Sequence, residues 1–282
     1  MDSSEQSRKV VSDGFGSLLR YWREVRGVSQ FELSIDSGVS QRHISFIESG
    51  RSVPGRQTLL NIAQSLDVPL RERNALLLAA GYAPMYPEAK WNAEEMSSVT
   101  NAISRLLRQH EPFPAIVMDR YWNVLTTNES APRLFNHFIN TEARPGPRNL
   151  LHLIFDPQGM RPYVVQWELV ARSLLQRVYR EAVGHMIDAQ TQQLLDELHA
   201  YPGVQPEWKW QGVVDPSAGI PMIPVGFTKN GSILNYFSMI TTVGAPQSIA
   251  AQELRIEFMF PADNQTEDRH AKLFASSRSA ED

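Results

Sequence analysis

The sequence predicts two domains: an all-α head of five short helices, then an α+β domain built on an antiparallel sheet. Three observations lead there. The chain has 282 residues, more than one ordinary domain holds. From 14 to 80 apolar residues recur at helical spacing, with short connections between the runs. From about 114 the pattern changes class, and Asn230-Gly231 between two β-type runs is a strong hairpin signal.

Residues 1–12 read as a flexible arm ahead of a head spanning 13–84. Phe15, Leu18, Leu19, Trp22 and Val25 make a first amphipathic helix, which Gly27 ends. Ser29-Gln-Phe-Glu32 is a capping box: the Ser oxygen can accept from the Glu32 amide while Glu32 reaches back. The short helix it starts carries Leu33 inward and gives out at Asp36-Ser-Gly38. Ser40 caps the third helix, SQRHISFIESG, with Ile44 and Ile47 on one face. Leu59, Leu60, Ala63 and Leu66 keep register in a fourth helix, and Pro69 opens a fifth that ends at Gly81.

Pro84 and Pro87 introduce a linker, 85–111, with an amphipathic helix over 92–110 that puts Met96, Val99, Ile103, Leu106 and Leu107 on one side. Glu111-Pro-Phe-Pro114 breaks it. The second domain, 112–262, opens with two short strands around Asp119-Arg120 and a helix capped by Asn128. Helices follow over 164–183 and 187–200, then the β-rich runs IPVGFTKN, SILNYFSMITTV and ELRIEFMF. A polar tail, 263–282, reads as flexible. No fixed-period repeat or low-complexity tract interrupts this order.

Composition narrows the function classes. Hydrophobic residues make up 42% and charged ones 21%, which suits packed domains. No apolar run is long enough to span a bilayer, and the first residues lack a secretory core, so neither membrane nor leader is expected. The absence of Cys removes disulfides, thiolate metal sites and Cys nucleophiles, and fits a reducing cytoplasm. No Gly-x-Ser-x-Gly elbow, His-Glu-x-x-His motif, phosphate loop or dinucleotide fingerprint occurs, and the seven His are scattered. Neither catalytic residues, a metal nor a cofactor is therefore expected. The net charge of −4 is uneven: residues 14–73 carry eight Arg against six acids, a net +2 that leaves −6 elsewhere. That imbalance is compatible with nucleic-acid binding at one end, though it is no polybasic tract.

Two short helices joined by Asp36-Ser-Gly38-Val39 form a helix-turn-helix signature. Gly38 suits a positive φ, Val39 can plug the angle between the helices, and Ser40 restarts the chain. With Ile44 and Ile47 inward, Gln41, Arg42 and Ser45 project outward, as a base-reading helix needs. The runs LLRYWREVRGVSQFEL, SGVSQRHISFIESGRSVP and LLNIAQSLDVP resemble the Xre/Cro/lambda-repressor family of DNA-binding domains over residues 14 to about 82. The resemblance implies that Gln30 grips a phosphate and that Gln41, Arg42 and Phe46 occupy base-reading positions, with Ser40 and Ser45 completing the surface. Gln41 suits adenine and Arg42 guanine. Arg51, Ser52 and Arg56 would contact phosphates, and Arg23 and Glu48 would form a partly buried pair. Phe46 departs from the long polar residue often found in the family. It reads as a thymine-methyl contact, as partly buried against the second helix, or as a protein contact.

The runs AIVMDRYWNVLTTNESA, PRNLLHLIFDPQGMRP and WELVARSLLQRV resemble the MmyB-like ligand-binding domain, a PAS-type sensor, over 112–200; beyond about 202 the resemblance gives out. It implies a curved sheet over helices and a cavity for a small, apolar, fatty-acyl-like ligand. Trp122, Phe135, Phe138, Trp167, Leu174, Phe227, Tyr236 and Phe258 are the expected wall, with Asn128 and Asn149 as polar anchors. The aromatics read equally as ordinary core, Asn128 as a plain helix cap and Asn149 as a turn-stabilising side chain. Together these readings give a cytoplasmic one-component transcriptional regulator that binds double-stranded operator DNA as a homodimer. The alternatives are a protein-interaction or antitoxin-like module, or an enzyme fused to a DNA-binding head.

Overall fold

The computed structural model describes residues 14–144, 148–183, 188–209 and 225–278. The expected arm over 1–12 and the first residues of the IPVGFTKN run lie outside them. The described chain forms two compact units, one mainly from residues up to 89 and one mainly from residues beyond.

The first unit has five helices: α1 (Phe15–Val25), α2 (Gln30–Ser37), α3 (Gln41–Glu48), α4 (Arg56–Ser65) and α5 (Leu70–Ala79). Their apolar stripes meet in one core that includes Leu19, Trp22, Leu33, Ile44, Ile47 and Leu77. Each fully buried Leu or Ile contributes about 1.5–3 kcal/mol relative to exposure. Both halves of the Ser29/Glu32 capping box form, and Gly38 ends α2 at a φ of 69°, the left-handed region that a side chain disfavours. Gly16 has a different reason. A Cβ there would lie 2.6 Å from the Ile47 carbonyl oxygen, so only Gly lets α1 lie against the end of α3.

The second unit begins with α6 (Ser97–Gln109), which buries Ile103 and Leu107 and leaves Leu106 exposed. Its sheet comprises β1 (Ala115–Met118), β2 (Val124–Thr127), β3 (Val225–Lys229), β4 (Ser232–Thr241) and β5 (Arg255–Pro261). The order is β2-β1-β5-β4-β3, antiparallel throughout, so the first strand pairs with the last. Asn230 and Gly231 both have positive φ, 51° and 76°, and make the tight β3–β4 turn. Four helices contribute to the same core: α7 (Ser130–Phe138), α8 (Leu150–Phe155), α9 (Trp167–Val183) and α10 (Ala189–His199). No sequence pattern announced α8. Its six residues are too few to show a period, yet Leu150, Leu151, Ile154 and Phe155 are all buried.

A short α11 (Ile249–Glu253) precedes β5, and α12 (Asn264–Arg278) follows it. This corrects the expectation of a flexible tail after residue 263. The helix is polar overall, but Thr266 and His270, one turn apart, are buried, and Asp263 accepts from the Thr266 amide at 2.6 Å to start it. His270 Nε2 lies 2.7 Å from the Pro112 carbonyl, which can only accept. That fixes the proton on Nε2, and Nδ1 accepts from the Tyr236 hydroxyl at 2.6 Å. Burial pushes the His270 imidazole below its ordinary range, against the opposing pull of the Pro112 bond and Glu111. A depressed imidazole favours folding above its unfolded value, and that contribution is lost as pH falls through the folded value. The unit is therefore expected to melt at lower temperature as pH drops below the usual imidazole range. Tyr236→Phe leaves Nδ1 without its donor and is expected to cost about 1–3 kcal/mol in denaturant unfolding.

Candidate functional site

Two sites stand out, one on each unit. The first is the exposed side of α3. Ser40 caps the helix by accepting from the His43 amide at 3.3 Å, while Ile44, Ile47 and Glu48 hold its inner face. Ser40, Gln41 and Arg42 are exposed at the amino-terminal end, and Ser45 and Phe46 are half-buried one turn on. The Phe46 carbonyl accepts from the amides of Arg51 at 2.8 Å and Ser52 at 3.2 Å, which folds the following loop back on the helix. The guanidinium carbons of Arg42 and Arg51 lie 5.3 and 5.8 Å from the Phe46 ring centre. Neither arginine has an acidic partner among the described residues. Arg56 is placed differently: it donates to the Ala83 carbonyl at 3.3 Å and lies over the Tyr82 ring.

Beneath this surface sits a carboxylate network. The Glu48 side chain is fully buried, yet it receives Arg23 Nε at 2.6 Å and Arg23 Nη2 at 3.0 Å, a bidentate pair. Gln30 Nε2 adds a bond at 2.8 Å, and Arg20 approaches to 3.5 Å. Burial alone would raise the Glu48 carboxyl, but the bonds from Arg23 and Gln30 and the charges of Arg23 and Arg20 outweigh it and hold the group below the usual carboxylate range. The side-chain amide of Gln30, expected on a phosphate, is thus engaged at the start of α2 by a residue at the end of α3. Gly16 and Arg20 escaped the sequence reading. The signal for Gly16 was there, a glycine inside an otherwise good helical run.

The second site is a cavity of about 590 Å³ in the second unit. Ile116, Val124, Ala131, Phe135, Leu153 and Leu194 give it an apolar floor, and Arg144, Arg148, His152, Gln193 and Glu197 make a polar side. His152 Nε2 is 3.1 Å from Glu197, and Nδ1 is 3.0 Å from the Tyr201 hydroxyl. Arg144 is paired with Asp156; burial would raise that carboxyl, but the Gln158 amide and Arg144 hold it low. The Arg148 guanidinium has no partner among the described residues. Among the described residues no group of three His, Asp or Glu is placed to hold a metal ion.

Of the ten residues expected at a ligand wall, Phe135 and Asn149 line this cavity. Asn149 lines it with its amide committed: the oxygen caps α8 by accepting from Leu151 and His152, and the nitrogen donates to Tyr121 and Asn123. Asn128 is buried, accepting from Ala115 and Ala131 and donating to Phe113. Trp122, Phe138, Trp167, Phe227 and Tyr236 are core, with Leu174 packed against them. Their rings fill space against one another, as Phe227 does at 5.6 Å from Phe138 and 6.4 Å from Tyr236. Phe258 meets His110 edge-on at 4.9 Å.

Residues 15–76 match a family profile described as a helix-turn-helix domain. Residues 99–273, more than half of the chain, match the MmyB-like transcription regulator ligand binding domain. The chain belongs to the MmyB-like transcription regulators. The match runs well past residue 202, where the resemblance was expected to give out, and takes in β3, β4 and β5, which close the sheet as one antiparallel ladder. The relatives of this MmyB-like chain are named as HTH-type transcriptional regulators. The HTH-type transcriptional repressor RghR of Bacillus subtilis (strain 168) is 38% identical over 140 residues, covering 47% of this chain and 95% of the relative. The regulator RghRB of the same organism is 30% identical over 134 residues, 46% of this chain and 94% of its own. The regulator y4dL of Sinorhizobium fredii (strain NBRC 101917 / NGR234) is 46% identical over 52 residues, 18% of this chain; the match spans about a quarter of that relative, 26%. This MmyB-like protein is a transcriptional regulator with a helix-turn-helix DNA-binding head and a ligand-binding domain; its family is one of regulators, not enzymes. No described helix is long and apolar enough to cross a membrane.

Proposed function

We propose that this regulator reads operator DNA in the cytoplasm as a homodimer through α2 and α3, and that its cavity takes a small amphiphile. The observation that carries the first part is the pair of arginines, Arg42 and Arg51, without acidic partners among the described residues, at the exposed side of a helix whose other side is locked. Bases are read by Gln41 and Arg42, and phosphates by Arg51, Ser52 and the amino-terminal end of α2. An eight-residue helix reaches few base pairs, so two heads about one helical turn apart supply the affinity. The exposed Leu106 on α6 offers an apolar contact for the second copy. A gel-shift with DNA from the operator region tests this part. A shift equal on specific and random duplexes would overturn it.

The cavity volume falls in the range of small-molecule sites. Its apolar floor suits an acyl or similar body. The Arg148 guanidinium, without a partner among the described residues, suits a carboxylate or phosphate end, so the ligand is better described as amphiphilic than as apolar. Ligand changes DNA binding by favouring one arrangement of the heads, and so must bind the two arrangements unequally. Native mass spectrometry of protein purified from its source is expected to show a retained adduct, which Leu194→Trp abolishes by filling the floor and Arg148→Ala weakens. An empty cavity that no long-chain carboxylate stabilises would sink the sensing half.

One observation favours a second reading, a protein-interaction or antitoxin-like module. Phe31 and Ile35, one turn apart on α2, are 59% and 65% exposed. The same gel-shift separates the two.

A further inference from the structure

We propose that Phe46 is a positioning residue, whose ring holds Arg42 and Arg51 so that the base-reading and the phosphate-binding arginine are set before DNA arrives. This rests on the DNA-reading role of α3. Arg42 and Phe46 are four residues apart and share a helix face, which brings the guanidinium over the ring without any bend in the chain. Arg51 reaches the same ring by another route. Gly50 turns the chain at a φ of 72°, and the Phe46 carbonyl then accepts from both Arg51 and Ser52, so one residue fixes the loop with its backbone and the arginine with its ring.

Two guanidinium cations on one small ring repel each other. Each gains from the negative face of the aromatic, and no carboxylate among the described residues gathers them. Such a cluster of positive charge is relieved when a polyanion binds. Long arginine side chains ordinarily lose rotamer freedom at an interface, and a ring that already restrains them lowers that loss. The geometry thus assigns to Phe46 an indirect role. It shapes recognition of the guanine by Arg42 and of a phosphate by Arg51, where a thymine contact would have used the ring itself.

The test begins with the full chain and a random duplex pool, from which wild-type protein selects its preferred sequence. Kd is then measured for wild type, Phe46→Leu, Phe46→Tyr, Arg42→Ala and the Arg42→Ala/Phe46→Leu double variant, on the selected duplex and with each base pair of the half-site changed. Phe46→Leu is expected to weaken binding about tenfold and to lower discrimination at the guanine that Arg42 reads. Phe46→Tyr, which keeps the ring, should behave as wild type, and Phe46→Leu should cost less in the Arg42→Ala background than in the wild type, because only the hold on Arg51 is left to lose. The discrimination ratio is the deciding readout, because a general folding defect weakens all duplexes alike. Additive losses, with the Phe46→Leu effect confined to a thymine, would show that the ring reads a base and would overturn the proposal. Wild-type behaviour of Phe46→Leu would overturn it as well. If the wild type selects no sequence, the DNA-reading role of α3 fails first and the proposal falls with it.

Discussion

Arg42→Ala is expected to cost about 1–3 kcal/mol on the selected operator, roughly five- to 150-fold in Kd, with a much smaller loss on random duplex. The guanidinium stands exposed in the first turn of α3 with no acidic partner among the described residues, so its donors are available to the O6 and N7 acceptors of a guanine. Because the bonds are to a base, the slope of log K against log salt should change little. Arg51→Ala is the contrast. Without its bond to a phosphate, all sequences are held more weakly by the same factor, and the salt slope falls by about one unit. Arg105→Ala, at an exposed position on α6, serves as a control for net charge. Equal losses on operator and random DNA for Arg42→Ala would mean that the helix holds the backbone without reading sequence.

Glu48→Ala should unfold the head more easily than any other single substitution named here, by about 3 kcal/mol or more. The carboxylate is fully buried and Arg23, 14% exposed, depends on it for two charge-assisted bonds. Removing the acid strands a mostly buried cation and frees Gln30. For a domain of this size the loss lowers the melting temperature by at least about 10 °C. Acid should imitate the substitution. The folded carboxyl lies below its unfolded value, so its contribution is complete above the ordinary carboxylate range and disappears as pH falls through the folded value. Wild-type head stability is therefore expected to decline on the acid side of the carboxylate range, and Glu48→Gln should flatten that decline. If Glu48→Ala melts with the wild type, the network is an ornament of the surface.

The head was readable because its signals are local. The capping box at Ser29, the left-handed Gly38 and the cap at Ser40 each depend on residues within four of one another. What escaped needs partners far along the chain. Gly16 is required by carbonyls at 47 and 48, and Gln30 meets a carboxylate eighteen residues on. In the second unit the large aromatics filled the core, while the cavity was lined by smaller and polar side chains such as Arg148, His152 and Leu194. Size and hydrophobicity alone draw a ring toward the tightest packing, so they point away from an open space. The helix α12 was hidden because its buried Thr266 and His270 are not apolar, and Leu273, which packs against the core, is too little to show a period.

The pairing of β1 with β5 sets an order of events at the ribosome. The five head helices, through Ala79, are all made before the first sensor strand begins at Ala115. That strand then waits for most of the remaining chain before its neighbour exists, with the β2 hairpin as its early shelter. A nascent chain paused near residue 200 thus carries all five head helices and an unclosed sheet. The unpaired edge of β1 is exposed for longest, so chaperone demand should fall mainly on the second half.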